Sequence, residues 1–256
     1  MLGGLITAVR TLTILPMPGK DAPRLADALH FFSLVGALIG ALVTLAVWFF
    51  GAVVLWPMGA GIVGVVMSSL VTRGLHLDGL SDTVDAYFGS TERERRLEIM
   101  KDHHAGAFGV TAITLVLLIK TAALAQLAVL GQWAAIPVPF ILARLTQVLL
   151  AVMLPYARAE GGTAEELVKQ AAPVHFISTG ILALILCGLL IKSCAPLLLL
   201  VALLLGPLLG RWMKRAFGGV TGDLLGFANE IVECVLLLTL AAALPYWQNI
   251  CSGFME

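Results

Sequence analysis

Residues 31–50 read FFSLVGALIGALVTLAVWFF. Twenty consecutive uncharged, mostly apolar residues meet the ~20 that a helix needs to cross a ~30 Å hydrocarbon core. This is a first membrane span. Its Gly36 and Gly40 stand four apart, a small-xxx-small spacing that lets helices approach closely. Downstream, Trp56-Pro57-Met58-Gly59 makes a turn. A second Gly/Val-rich span covers about 59–72 and runs on into a polar, acidic segment. Further spans are expected at 107–130, 134–154, 176–191, 195–209 and 231–246. The sixth is short enough that it should extend or tilt. Upstream, MLGGLITAVRTLTILPMPGK is interrupted by Arg10 and lacks a small-residue cleavage pattern, so it does not read as a signal peptide. It reads as a short apolar segment at the interface, ended by the prolines of TLTILPMP.

Composition agrees. The 256 residues are 59% hydrophobic and 12% charged, against ~45–50% and ~25% in ordinary soluble domains. Mean hydropathy is +0.97. These values exclude a disordered chain, a coiled coil and a basic-patch nucleic-acid binder. The expected fold is therefore all-α: one polytopic membrane bundle over residues 1–256, with about seven transmembrane helices and a cytoplasmic N-terminus. The lipid bilayer is its first partner, and nucleic acid is not one. Cys187, Cys194, Cys234 and Cys251 show no metal-ligand spacing and read as apolar fillers.

Net charge is zero, but its distribution is informative. With the N-terminus cytoplasmic, 13 of 16 Lys and Arg fall on that side, as the positive-inside rule requires. Lys192 falls outside, and Lys120 and Arg144 lie within spans. By the same reading 15 of 16 acidic residues are cytoplasmic, Glu256 being the exception. One face thus carries the polar chemistry, unlike a transporter with midplane ionisable groups.

Three segments on that face carry chemistry. In RGLHLDGLSDTVDAYFG (73–89), Asp78, Asp82 and Asp85 are spaced i, i+4, i+7. At about 100° per residue they fall within about 60° of one another on a helix. Such carboxylates repel unless a cation sits among them, and Mg²⁺ commonly bridges carboxylates to substrate phosphates. STERERRLEIMKDHHAGAFG (90–109) begins as a charged, solvated helix. At its end Lys101 could meet a phosphate as a point charge, beside Asp102. His103 and His104 read as interfacial residues that could assist proton transfer. GGVTGDLLGFANEIVE (218–233) reads as a glycine-rich loop before the last span. Its Gly219 and Gly222 would offer backbone N–H groups to an anion, with Asp223, Glu230 and Glu233 on one broad face. Arg144, inside its span, needs a buried carboxylate or a substrate phosphate as counter-charge. RAEGGT (158–163) is a weaker hint of a ligand loop.

Together these features suggest phosphoryl or diphosphate chemistry: a divalent metal on the phosphates and an alcohol deprotonated by a nearby carboxylate or His. The candidate catalytic residues are Asp82, Asp85, His76 and Lys101, with the general base left open. Candidate substrate contacts are Arg73, Asp102, Arg144, Gly219, Gly222 and Glu230. Candidate metal ligands are Asp78, Asp82 and Asp85.

HLDGLSDTVDAYFG, RLEIMKDHHAGAFG and GGVTGDLLGFANEIVE, in that order, resemble the cobalamin synthase family. TLTILPMP and FFSLVGALIG resemble it too, so the likeness covers nearly the whole chain. The resemblance implies a membrane adenosylcobinamide-GDP ribazoletransferase, with Mg²⁺ as cofactor and an inner-membrane location. The hydroxyl of α-ribazole, or of its 5′-phosphate, would attack the phosphorus bearing cobinamide, and GMP would leave. Asp78, Asp82 and Asp85 would be metal and diphosphate ligands, and Asp223 with Gly222 a second set.

Two other enzymes place aspartates at a membrane face. A CDP-alcohol phosphotransferase would carry an Ala-Arg pair after the first Asp-Gly, which DGLSDT lacks. An intramembrane prenyltransferase would carry a second motif more acidic than GDLLGFANE. A transporter would show internal repeats, and none is evident. Gly36/Gly40 and Gly206/Gly210 would serve helix packing within one chain or between copies in a homo-oligomer.

Overall fold

The computed structural model describes residues 2–102, 104–191 and 195–252, with side chains omitted at residue 195 and beyond Leu244. His103, Lys192, Cys194 and Glu256, and the side chains of Tyr246, Trp247 and Cys251, lie outside the described residues. The described residues form helices joined by loops and short 3₁₀ or π turns: α1 Leu2–Leu12, α2 Phe32–Trp48, α3 Pro57–Val71, α4 Leu75–Gly89, α5 Arg93–Ile99, α6 Ala107–Val129, α7 Pro137–Met153, α8 Glu165–Lys169, α9 Pro173–Leu190, α10 Ala195–Ala216 and α11 Gly222–Ser252. Among the described residues, six helices are long and apolar enough to cross a bilayer. A seventh span results if α3 is counted together with α4, from which it is bent by 90°.

α7 is the central pillar. The apolar window around it is 83% buried, against 22% for α9 and 28% for α10. α2 reaches it closely: a Cβ on Gly36 would collide with the Phe140 carbonyl, and one on Gly40 would lie 2.5 Å from Pro137 Cα. Gly206 and Gly210 of α10 face Leu149 and Leu150 of the same pillar. Both glycine pairs are thus spent on packing within this chain. The outer faces of α9 and α10 carry exposed Ile181, Leu184, Leu189, Leu204 and Leu208, as lipid-facing surfaces should.

At the N-terminus, residues 13–24 fold back on α1. Arg10 donates to Asp21 at 2.8 Å and to the Met17 carbonyl at 2.8 Å. Ile14 N–H then donates to the Val71 carbonyl at 2.7 Å, which ties the segment to the end of α3.

Two expectations are corrected. The last helix starts at Gly222, nine residues before the expected 231, so the presumed glycine loop is confined to 218–221. Glu230 and Glu233 do not join the polar face either. They are 5% and 2% exposed inside the bundle, where Lys120 donates to each at 2.6 Å and Arg144 donates to Glu233. Four charges in apolar surroundings persist because they neutralise one another; an unpaired charge there would be expensive. The hydropathy pattern hid this pairing, since its partners lie on α6, α7 and α11.

Candidate active site

The acidic helix owes its direction to the 90° bend. Arg73 and Gly74 both take left-handed backbone, with φ of 56° and 66°. Glycine does so freely, whereas Arg73 is held there at a cost of order 1 kcal/mol, a form of strain that clusters at functional sites. Past the bend, α4 leaves the direction of the spanning helices and runs beside the start of α11. Each helix contributes a glycine to the contact. A Cβ on Gly79 would lie 2.5 Å from the Asp223 carbonyl, and one on Gly226 would lie 3.2 Å from His76 Cα. The aspartates of two distant segments are thereby brought together.

The expected carboxylates are not equivalent. Asp78 is exposed and Asp82 half-buried. Neither accepts a hydrogen bond from the described residues. Burial pushes the Asp82 carboxyl up to about 7, and Asp78, Asp223 and Asp85 add to the effect, with Arg158 opposing. Asp85 has a different task from the ligand role expected of it. It accepts the backbone N–H of Gly106 at 2.8 Å and of Gly109 at 2.9 Å, and so caps the first turn of α6. Asp223 is held by Arg158 at 2.8 Å. Arg158 Nε is buried without a partner. The sequence reading gave this arginine no role beyond a weak loop hint.

Among the described residues, no three His, Cys, Asp or Glu are gathered as a metal cage. Mg²⁺ does not need one, because it is usually held by one or two carboxylates plus substrate phosphates. The uncompensated pair Asp78 and Asp82 fits such an ion. Asp85, with both oxygens on backbone donors, does not fit as it stands.

The remaining candidates divide. Arg73 stays exposed at the bend and lines the spaces on both sides of Asp78. Gly222 lines one of them, beside Thr163 and Ala164. His76 is 3% exposed. Its ring nitrogens lie 3.4 Å from Arg144 Nη2 and 3.2 Å from Gln147 Nε2, so it is wedged between donors of α7. That is a packing role where a free base was expected, although its edge lines the cavity.

Five expected contacts are redirected. Lys101 bonds Glu160 at 2.5 Å on the surface, and this pairing holds the Glu160 carboxyl below the usual range. Asp102 accepts from His104, at 3.0 Å from its backbone and 2.6 Å from its ring. Arg144 and Glu230 belong to the buried charge cluster. Gly219 is buried against the Pro155 carbonyl, where a Cβ would not fit. Its neighbour Val220 exchanges backbone bonds with that carbonyl at 2.9 Å and with Ala157 N–H at 2.8 Å. This glycine serves close approach of two loops and is not an anion cradle.

Two spaces meet at Asp78. One is a cavity of about 360 Å³ between α1, α4, α7, α8 and α11. The other is an open cleft of about 530 Å³ between α4 and the start of α6. A cluster of carboxylates flanked by Arg73 and Arg158, with room on both sides, can hold a diphosphate and present a second molecule to it.

A family model described as cobalamin-5-phosphate synthase matches residues 4–241. The adenosylcobinamide-GDP ribazoletransferase of Chlorobium chlorochromatii (strain CaD3) is 41% identical over 242 residues, 93% of this chain and 96% of that protein. The protein of the same name from Chlorobaculum tepidum is 41% identical over 244 residues, 94% and 96% of the two chains. That of Roseiflexus sp. (strain RS-1) is 37% identical over 243 residues, 93% and 89%. No solved structure matches.

Proposed function

The chain belongs to the cobalamin-5-phosphate synthase family, and on that premise we propose that it is an adenosylcobinamide-GDP ribazoletransferase of the inner membrane, working at the cytoplasmic face. The hydroxyl of α-ribazole, or of its 5′-phosphate, attacks the phosphorus bearing cobinamide. A new P–O bond forms, the diphosphate bridge breaks, and GMP leaves with the electron pair. The observation that carries this reading is the junction of Asp78, Asp82 and Asp223 from two distant segments, set between two spaces.

Asp82 is the residue best placed to take the hydroxyl proton, since its carboxyl is raised to about 7, and a base poised near the working pH is the most effective. Arg73 faces both spaces and meets the phosphate oxygens. Arg158 fixes Asp223 at 2.8 Å. Asp85 acts indirectly, by fixing the start of α6 against α4. Mg²⁺ held by Asp78 together with phosphate oxygens, with Asp82 left free as the base, would neutralise phosphate oxygens and make the phosphorus more electrophilic.

The test is turnover in liposomes with adenosylcobinamide-GDP, α-ribazole and Mg²⁺, following GMP and the corrinoid product together. Equimolar products, lost on adding EDTA and regained with Mg²⁺, are expected. Absence of product from a folded sample overturns the reading. Product formation that survives EDTA overturns the metal assignment alone.

A further inference from the structure

The two spaces at Asp78 differ in kind. The open cleft is bordered by Arg73, Ser81 and Ala105 on one side and by Ile113 of α6 on the other. The cavity on the opposite side of Asp78 is walled by Leu12, Phe32, Leu167 and Leu225. At its floor stands Gln147, a side chain 4% exposed. Gln147 Nε2 donates to the Leu225 carbonyl at 3.2 Å, but its Oε1 is buried without a hydrogen-bond partner. In the cleft Ser81 Oγ is likewise buried and unpartnered.

Resting on the phosphotransfer reading above, we propose that the walled cavity seats the acceptor, a nucleoside with a flat, largely apolar aromatic base, and that the nucleotide-activated donor lies in the open cleft. Size supports the division. A cavity of about 360 Å³ matches one nucleoside and lies in the range of small-molecule pockets, whereas a corrin bearing an adenosyl group is several times larger and needs the open side. Chemistry supports it too. A fused benzimidazole base has few polar edge atoms to leave unpaired against leucine and phenylalanine walls. The ribose then projects toward Asp78 and Asp223 at the rim, one helical turn from Asp82 on α4. The acceptor and donor therefore approach the phosphorus from the two spaces that adjoin Asp78, an arrangement compatible with in-line displacement.

Two variants of the full-length protein test the proposal in liposomes. Leu167→Trp fills the cavity. It should raise the KM for α-ribazole at least tenfold while leaving the KM for adenosylcobinamide-GDP within about twofold. Thr163→Cys places a thiol at the exposed rim, where the side chain carries no core packing. Its labelling by a maleimide, measured above the background of the parent protein, should be slowed severalfold by α-ribazole and left unchanged by GDP. Protection by GDP instead of α-ribazole overturns the assignment of the two spaces while leaving the reaction intact, as does a rise in the donor KM alone. If the parent protein turns over neither substrate, the phosphotransfer reading itself falls, and this proposal with it.

Discussion

Replacing Asp82 by Asn should abolish turnover and yet stabilise the protein above neutral pH. The carboxyl titrates at about 7 when folded against an ordinary 3.8, because it is half-buried among Asp78, Asp223 and Asp85. A group whose folded pKa lies above its unfolded value holds its proton better in the folded state. Stability is therefore lost as pH rises from about 4 to about 7, and the loss is complete above that. At full weight the difference would be worth about 4 kcal/mol. Solvent screens a half-buried carboxyl, so about 1–2 kcal/mol is expected, or about 3–6 °C in melting temperature for a chain of this size. The amide keeps the shape and removes the charge. Unfolding of purified protein in detergent, scanned at pH 4.5 and pH 8, should show the variant matching the parent at the lower pH and exceeding it at the higher. Turnover should fall by ~10²–10⁴-fold, the usual contribution of a general base. In the parent it should rise with pH through about 7, or lower once Mg²⁺ is bound. A variant that melts lower at pH 8, or one that retains near-normal turnover, would refute the reasoning.

Lys120→Met strands Glu230 and leaves Glu233 to Arg144 alone; it should cost about 3–5 kcal/mol, read as a large drop in melting temperature, and adding Glu230→Gln should restore part of it. Gly79→Ala puts a Cβ 2.5 Å from the Asp223 carbonyl and should lower kcat at least tenfold, with far-UV circular dichroism unchanged. Asp85→Ala frees the Gly106 and Gly109 N–H groups, and should speed amide hydrogen exchange at the start of α6 by about fivefold, the effect of losing about 1 kcal/mol of capping. Arg158→Ala frees Asp223, which lines the acceptor cavity, and should raise the acceptor KM more than it lowers kcat, whereas an unchanged KM would limit Arg158 to holding the 155–163 loop.

The spans were legible because each obeys one local rule, a run of about 20 apolar residues. The grouping of Asp78, Asp82 and Asp85 was legible because helical spacing is also local. What escaped notice depends on tertiary contact. The spacing that unites the three aspartates says nothing about the glycines whose N–H groups claim Asp85. Glu230 and Glu233 follow a glycine-rich polar stretch and look like more of the same face; only the crossing of α6, α7 and α11 shows Lys120 and Arg144 waiting for them. Gln147 and Arg158 carried no motif. Gln147 stood out only as an amide inside an apolar span, a signal that could have been followed.

The buried charge cluster also sets a schedule for how the molecule is made. Lys120 enters the bilayer with α6, and its carboxylate partners lie 110 and 113 residues further along the chain. At ribosomal rates of about 5–20 residues per second, roughly 5–20 s pass before they are synthesised. Until then one lysine, and soon Arg144 as well, must wait at the insertion machinery or borrow lipid phosphates. The last helix thus acts as a completion signal: a nascent chain broken off before α11 displays two unneutralised cations in the membrane, the kind of defect by which a quality-control protease can tell an unfinished protein from a finished one.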